Sequence, residues 1–146
     1  MIRIVRTALP LLACGVLLLA CARSAPADDA KDKPSASGTW AKKEGQLTIE
    51  FAGKDVIKIA PHGGEDAVVV CSYTMTKDGQ VKAKVTELAG KEEFKEKAKS
   101  HVPVGLELTF TWKVKGETAT LEDVQGKDVD VFKSHMEGEF AKKKSD

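Results

Sequence analysis

Apolar and polar residues alternate with a period of two through most of the chain from Gly38 onward. Leu47, Ile49 and Phe51 are separated by Thr48 and Glu50, and Ile57 and Ile59 flank Lys58. Val69, Cys71, Tyr73 and Met75 share one face, opposite Val70, Ser72 and Thr74. Val81, Ala83 and Val85 alternate with Lys82, Lys84 and Thr86. The longest regular run is Leu106, Leu108, Phe110, Trp112 and Val114, interleaved with Glu107, Thr109, Thr111 and Lys113. Ala119 and Leu121 alternate with Thr118, Thr120 and Glu122, and Met136, Gly138 and Phe140 with Glu137 and Glu139. Successive side chains of a strand point to opposite faces, so each run predicts a strand with one face in a core and one in water. Antiparallel sheets carry that pattern.

The connections agree. Glu44-Gly45, Ala52-Gly53-Lys54-Asp55, Lys77-Asp78-Gly79 and Lys115-Gly116-Glu117 are short and glycine-bearing, and Asp78-Gly79 is a strong hairpin signal. Short loops join sequential neighbours into a meander. With every apolar set facing one way, closing the sheet on itself buries that face and removes the exposed edges. The predicted fold is mainly β: an antiparallel up-and-down meander of seven or eight strands over residues 38–142, closed into a small barrel.

Two segments break the alternation. Lys91 to Ser100 (KEEFKEKAKS) is rich in helix formers, lies between Gly90 and Pro103, and carries Glu93 and Lys97 as a favourable i,i+4 pair. It predicts one short helix near 91–100 that caps an end or edge through Phe94 and Ala98. Lys127 to His135 carries Val129, Val131 and Phe132 and fits either a strand or a helical turn. The terminal run Lys142-Lys143-Lys144 reads as a solvated tail, with residues 143–146 outside the barrel.

The N-terminus is of another kind. Arg3 and Arg6 precede an apolar stretch from Ala8 to Ala20, too short for a comfortable transmembrane helix of about 20 residues. It ends in Leu18-Leu19-Ala20-Cys21, which resembles a lipobox. Cleavage before Cys21 makes residues 1–20 a signal peptide and Cys21 the lipidated residue. Leu11-Leu12-Ala13-Cys14 repeats the letters, but cleavage there leaves an apolar region of only about six residues, short of the usual 7–15. Ala22, in place of the Asp that retains bacterial lipoproteins at an inner membrane, favours an outer membrane where one is present. Residues 21–37 read as a flexible tether. They are small, polar and proline-bearing. Sixteen residues from Ala22 to Ser37 give a root-mean-square reach of roughly 20–25 Å. The expected location is exported and anchored to the cell envelope.

Composition narrows the function. Without Arg3 and Arg6, 21 basic residues face 22 acidic ones, so no basic excess argues for nucleic acid. With Cys14 discarded and Cys21 acylated, Cys71 is the only thiol of the domain, and no disulfide framework is implied. Cys71 stands mid-strand among apolar residues, the setting of a core cysteine rather than a nucleophile. His62, His101 and His135 show none of the local pairing of metal sites, so neither metal nor cofactor is expected. The acidic residues occupy outward positions or turns, and the inward set holds hardly any polar group beyond Tyr73 and the indoles of Trp40 and Trp112. An active site needs convergent polar groups in a cleft, so the reading is non-enzymatic.

Gly38-Thr39-Trp40 opens the first strand directly after the tether. That placement, with Met136-Glu137-Gly138-Glu139-Phe140 at the close, resembles the lipocalin-like domains of small bacterial lipoproteins. The resemblance covers about Gly38 to Lys142 and implies that Trp40 packs across the closed end of the barrel. The chain departs from true lipocalins in being short and in lacking their disulfide and long C-terminal helix. Two functions stay open. In the first, the barrel of a lipid-anchored envelope protein binds a small apolar or amphipathic ligand lined by Trp40, Tyr73, Phe110 and Trp112. In the alternative, the core is solid and the domain is a structural or protein-interaction module. An eight-stranded barrel is wide enough for either.

Overall fold

The alternating runs form eight strands in a computed structural model that describes residues 36–144. In chain order they are β1 (Gly38–Lys42), β2 (Thr48–Ala52), β3 (Val56–Ala60), β4 (Ala67–Met75), β5 (Gln80–Gly90), β6 (Glu107–Lys115), β7 (Thr118–Gly126) and β8 (Gly138–Lys142). Each pairs antiparallel with the next, and β8 returns to pair with β1, closing a barrel. The leader, Cys21 and most of the tether lie outside the described residues.

The inward positions form one core that includes Trp40, Ile49, Phe51, Ile57, Cys71, Val81, Phe110, Trp112, Leu121 and Phe140. Among the described residues no polar or charged side chain is buried. The core therefore coheres through apolar burial, which contributes about 25 cal/mol per Å² of apolar surface removed from water.

Two departures from strict alternation close the barrel. In β5 the register against β4 slips between Val70↔Glu87 and Cys71↔Val85, so that Val85 and Leu88, three apart, both face inward. In β7, Leu121 and Val124 do the same across a break opposite Phe110, with Asp123 at φ 56°. Bulges of this kind bend a strand and sharpen its twist. Glu137 completes the second one: its Oε1 accepts the Val124 amide at 3.0 Å. A left-handed backbone tolerates Asp far better than a β-branched residue. Asp123→Val is therefore expected to lower stability by about 1–2 kcal/mol in urea unfolding, although valine is the better strand former. An unchanged or higher midpoint would contradict the strained bulge.

The expected helix is α1 (Glu92–Lys99), placed between β5 and β6 with Ala98 buried and Phe94 half-buried against the core. Residues 127–135, which fit strand or helix, resolve as a second helix, α2 (Asp130–Met136). Val129 and Met136 are buried while Val131 is 63% exposed, a helical rather than an alternating division. Met136, which alternation places in the last strand, is the final residue of α2. The Lys42 ammonium donates to the His135 carbonyl at 2.8 Å, a cation at the negative end of the helix dipole. Both helices join strands at the same end of the barrel. The tight turns at 53–55, 76–79 and 116–117, together with both termini of the described chain, lie at the other.

Candidate functional site

The inward stripe converges on a cluster of aromatic rings. The Trp112 ring on β6 lies with its centroid 5.6 Å from Trp40, 5.2 Å from Phe51 and 5.3 Å from Phe140. Trp40 and Trp112 meet edge to face at 82°, as do Phe51 and Tyr73 at 80° and 5.4 Å. These arrangements bring the positive edge of one ring onto the negative face of another. Trp40 is fixed further by its Nε1, which donates to the Ala36 carbonyl at 2.8 Å.

Trp40 and Trp112 are 0% exposed and Phe110 1%. A side chain without accessible surface borders no space large enough for a water, inside the barrel or out. These three, expected on a ligand wall, are buried in the core cluster, where indoles and phenyl rings from β1, β2, β6 and β8 pack together. Phe51 and Phe140 belong to the cluster as fully as the tryptophans, and their inward period-two positions were the signal for it. One polar atom is left over. Trp112 Nε1 is buried without a hydrogen-bond partner among the described residues. Leaving a donor unsatisfied costs about 1–3 kcal/mol.

Tyr73 alone of the four has surface. It sits at the end of β4 where its backbone amide donates to the Asp55 carbonyl at 2.8 Å. Beside it the outer faces of β4, β5 and β6 form an open groove of about 480 Å³, bordered by Asp55, Thr74, Lys82, Lys84 and Thr109. Glu107 on its edge is engaged by Lys84 at 3.7 Å. Burial and, second, the negative charge of Asp55 raise the Tyr73 phenol above its ordinary value. As the chain contains one tyrosine, alkaline titration followed by phenolate absorbance is expected to give a single midpoint above 10. Below the unfolded-state pKa this group leaves stability unchanged. Stability then falls as pH rises towards the raised folded value, where only the unfolded chain ionises freely. A midpoint at or below 10 would mean that the ring is open to solvent and free of Asp55.

No protein-family model, curated protein or solved structure matches the chain.

The side chains themselves offer little reactive chemistry. His62, His101 and His135 are exposed in separate connections or at an element end. No group of three or more His, Cys, Asp or Glu side chains converges as a metal site among the described residues. Burial pushes the Cys71 thiol up to about 12, so at neutral pH it is protonated and a poor nucleophile. The carboxylates with lowered pKa values, Glu93, Glu96 and Glu139, owe them to hydrogen bonds from Lys97, Lys99 and Lys43 at the surface. What the arrangement offers is a rigid, apolar-cored body with a charged exterior.

Proposed function

We propose that the chain is a non-enzymatic, lipid-anchored module of the cell envelope, whose barrel is solid and whose exterior does its work. The observation that carries this reading is the absence of surface on Trp40, Phe110 and Trp112, the residues best suited to hold an apolar ligand. Their surface is used in packing. The lipocalin-like resemblance agrees with the barrel but supplies no ligand. Anchoring rests on Leu18-Leu19-Ala20-Cys21, and the absence of Asp after the cysteine favours an outer membrane. Labelled fatty acid should enter the wild-type protein and be lost in Cys21→Ser; persistent label in the variant would overturn the anchor.

One observation favours the rival, an apolar or amphipathic ligand inside the barrel. Trp112 Nε1 lacks an acceptor that a ligand could supply, and admitting it requires the aromatic cluster to part. Native mass spectrometry of the protein purified from its own host separates the readings. A solid module carries nothing, whereas a co-purifying small molecule establishes the rival.

A further inference from the structure

The chain as a whole is close to neutral, but its charge is sorted along the barrel axis. At the helical end and on the walls, several lysines face carboxylates: Lys43 pairs with Glu139 at 2.7 Å, Lys91 with Asp66 at 2.8 Å, Lys97 with Glu93 at 2.8 Å and Lys113 with Glu122 at 2.8 Å. At the end with the tight turns, lysines outnumber carboxylates. Lys54, Lys77 and Lys115 stand in or beside the three turns, and Lys142, Lys143 and Lys144 leave the barrel next to them. All six are exposed. The carboxylates of the same turns are Asp55, Asp78 and Glu117, and Asp146 follows the lysine run in the sequence. Lys54 and Lys115 have no carboxylate within ion-pair distance among the described residues. The Lys142 ammonium lies over the Trp40 ring, 5.5 Å from its centroid, which leaves its charge unneutralised. The amide of Lys142 donates to the Glu117 carbonyl at 2.8 Å, which ties the C-terminal lysines to the β6–β7 turn.

We infer that this basic end docks on the anionic headgroups of the membrane that holds the lipid on Cys21, an inference that rests on the anchoring proposed above. The chain enters the barrel at Ala36–Gly38, on this end and no other. Ala22 to Ser37 carry three basic and three acidic residues, so they add no net charge of their own. The first part of the domain to approach the bilayer is thus the lysine end. Basic residues are attracted to anionic lipid once within a Debye length, about 8–10 Å at ordinary salt. Lysine suits such a contact, because a compact charge on a long stem needs no fixed geometry to meet a phosphate. A lipid on one cysteine holds a domain near a surface without orienting it, and the sorted charge supplies the orientation. Val104 and Val131, the exposed large apolar residues among those described, at 62% and 63%, then face away from the membrane on the helical end.

The full-length lipidated protein is to be bound to phosphatidylcholine vesicles with and without phosphatidylglycerol. Flotation with the neutral vesicles measures the lipid anchor alone. Amine-reactive labelling read by mass spectrometry then measures the docked end. Lys54, Lys77 and Lys115 are expected to label about threefold more slowly on the anionic vesicles than on the neutral ones, with Lys97 and Lys99 unchanged and the difference erased by high salt. In a Lys54→Glu, Lys115→Glu variant, with both changes in exposed turns, Lys77 should lose its protection. Equal labelling on both vesicles overturns docking while the anchor stands, and is also what an acidic protein as the true occupant would give. A protein that fails to float with neutral vesicles refutes the anchor, and docking with it.

Discussion

Replacing Trp112 with alanine is expected to remove about 3–5 kcal/mol of stability, read from urea unfolding followed by far-ultraviolet circular dichroism. For a domain of ordinary stability, about 5–15 kcal/mol, that is a large part of the whole. The ring is fully buried and touches Trp40, Phe51 and Phe140. Truncation removes those contacts and leaves a cavity that the surrounding strands, fixed in a closed hydrogen-bonded ring, cannot collapse into. Trp112→Phe separates packing from polarity. It keeps a ring in the cluster and deletes the unpartnered Nε1, so relief of about 1–3 kcal/mol offsets much of the lost area. Its net cost should stay below about 1.5 kcal/mol. If the alanine variant loses less than about 1 kcal/mol, the bore is not packed around Trp112 and the solid-barrel reading fails with it.

Gly79→Ala is expected to be comparably damaging, at about 3 kcal/mol or more. Gly79 lies in the β4–β5 turn at φ 82°, where L residues other than glycine are strained. A Cβ there would also stand 2.4 Å from the Trp112 carbonyl oxygen, and Trp112 donates its own amide to the Gly79 carbonyl at 2.8 Å. Relief by movement therefore breaks a backbone bond. Gly53→Ala provides the comparison: φ is 73°, but a Cβ would meet nothing within 4 Å. Only the conformational cost remains there, about 1 kcal/mol. Similar losses at both positions would show that the turn moves freely away from β6, which the close approach in the structure denies.

The strands and their inward faces were legible because a half-buried strand needs the period-two pattern and little else. Closure was legible from the missing edge. The bulges were not. A bulge appears in sequence as two apolar residues three apart, Val85 with Leu88 and Leu121 with Val124, which alternation alone reads as a strand ending. Nor was α2, because Val129 and Val131 mimic alternation and only the tertiary contacts decide which of them is inside. Inwardness told where Trp40, Phe110 and Trp112 point but not how much room they leave. That depends on how residues far apart in the chain meet across the bore. The lysine end escaped composition for a similar reason: a net charge near zero conceals a dipole that emerges once the turns are brought together.

The pairing of β1 with β8 has a consequence for how the molecule assembles. Each of the other pairings joins strands consecutive in the chain, but Trp40 meets Lys142 across about a hundred residues, and the register holds only Trp40↔Lys142, Ala41↔Ala141 and Lys42↔Phe140. Hairpins form in microseconds, whereas a contact so distant in sequence carries a much larger loop-closure entropy. The seam is therefore the last element to form during folding. Until it does, the chain is an open sheet with two bare edges, and a second molecule offers each edge the same partner strand. Refolding at high concentration should thus divert part of the population into dimers that exchange β1 or β8, whereas dilution returns it to closed monomers.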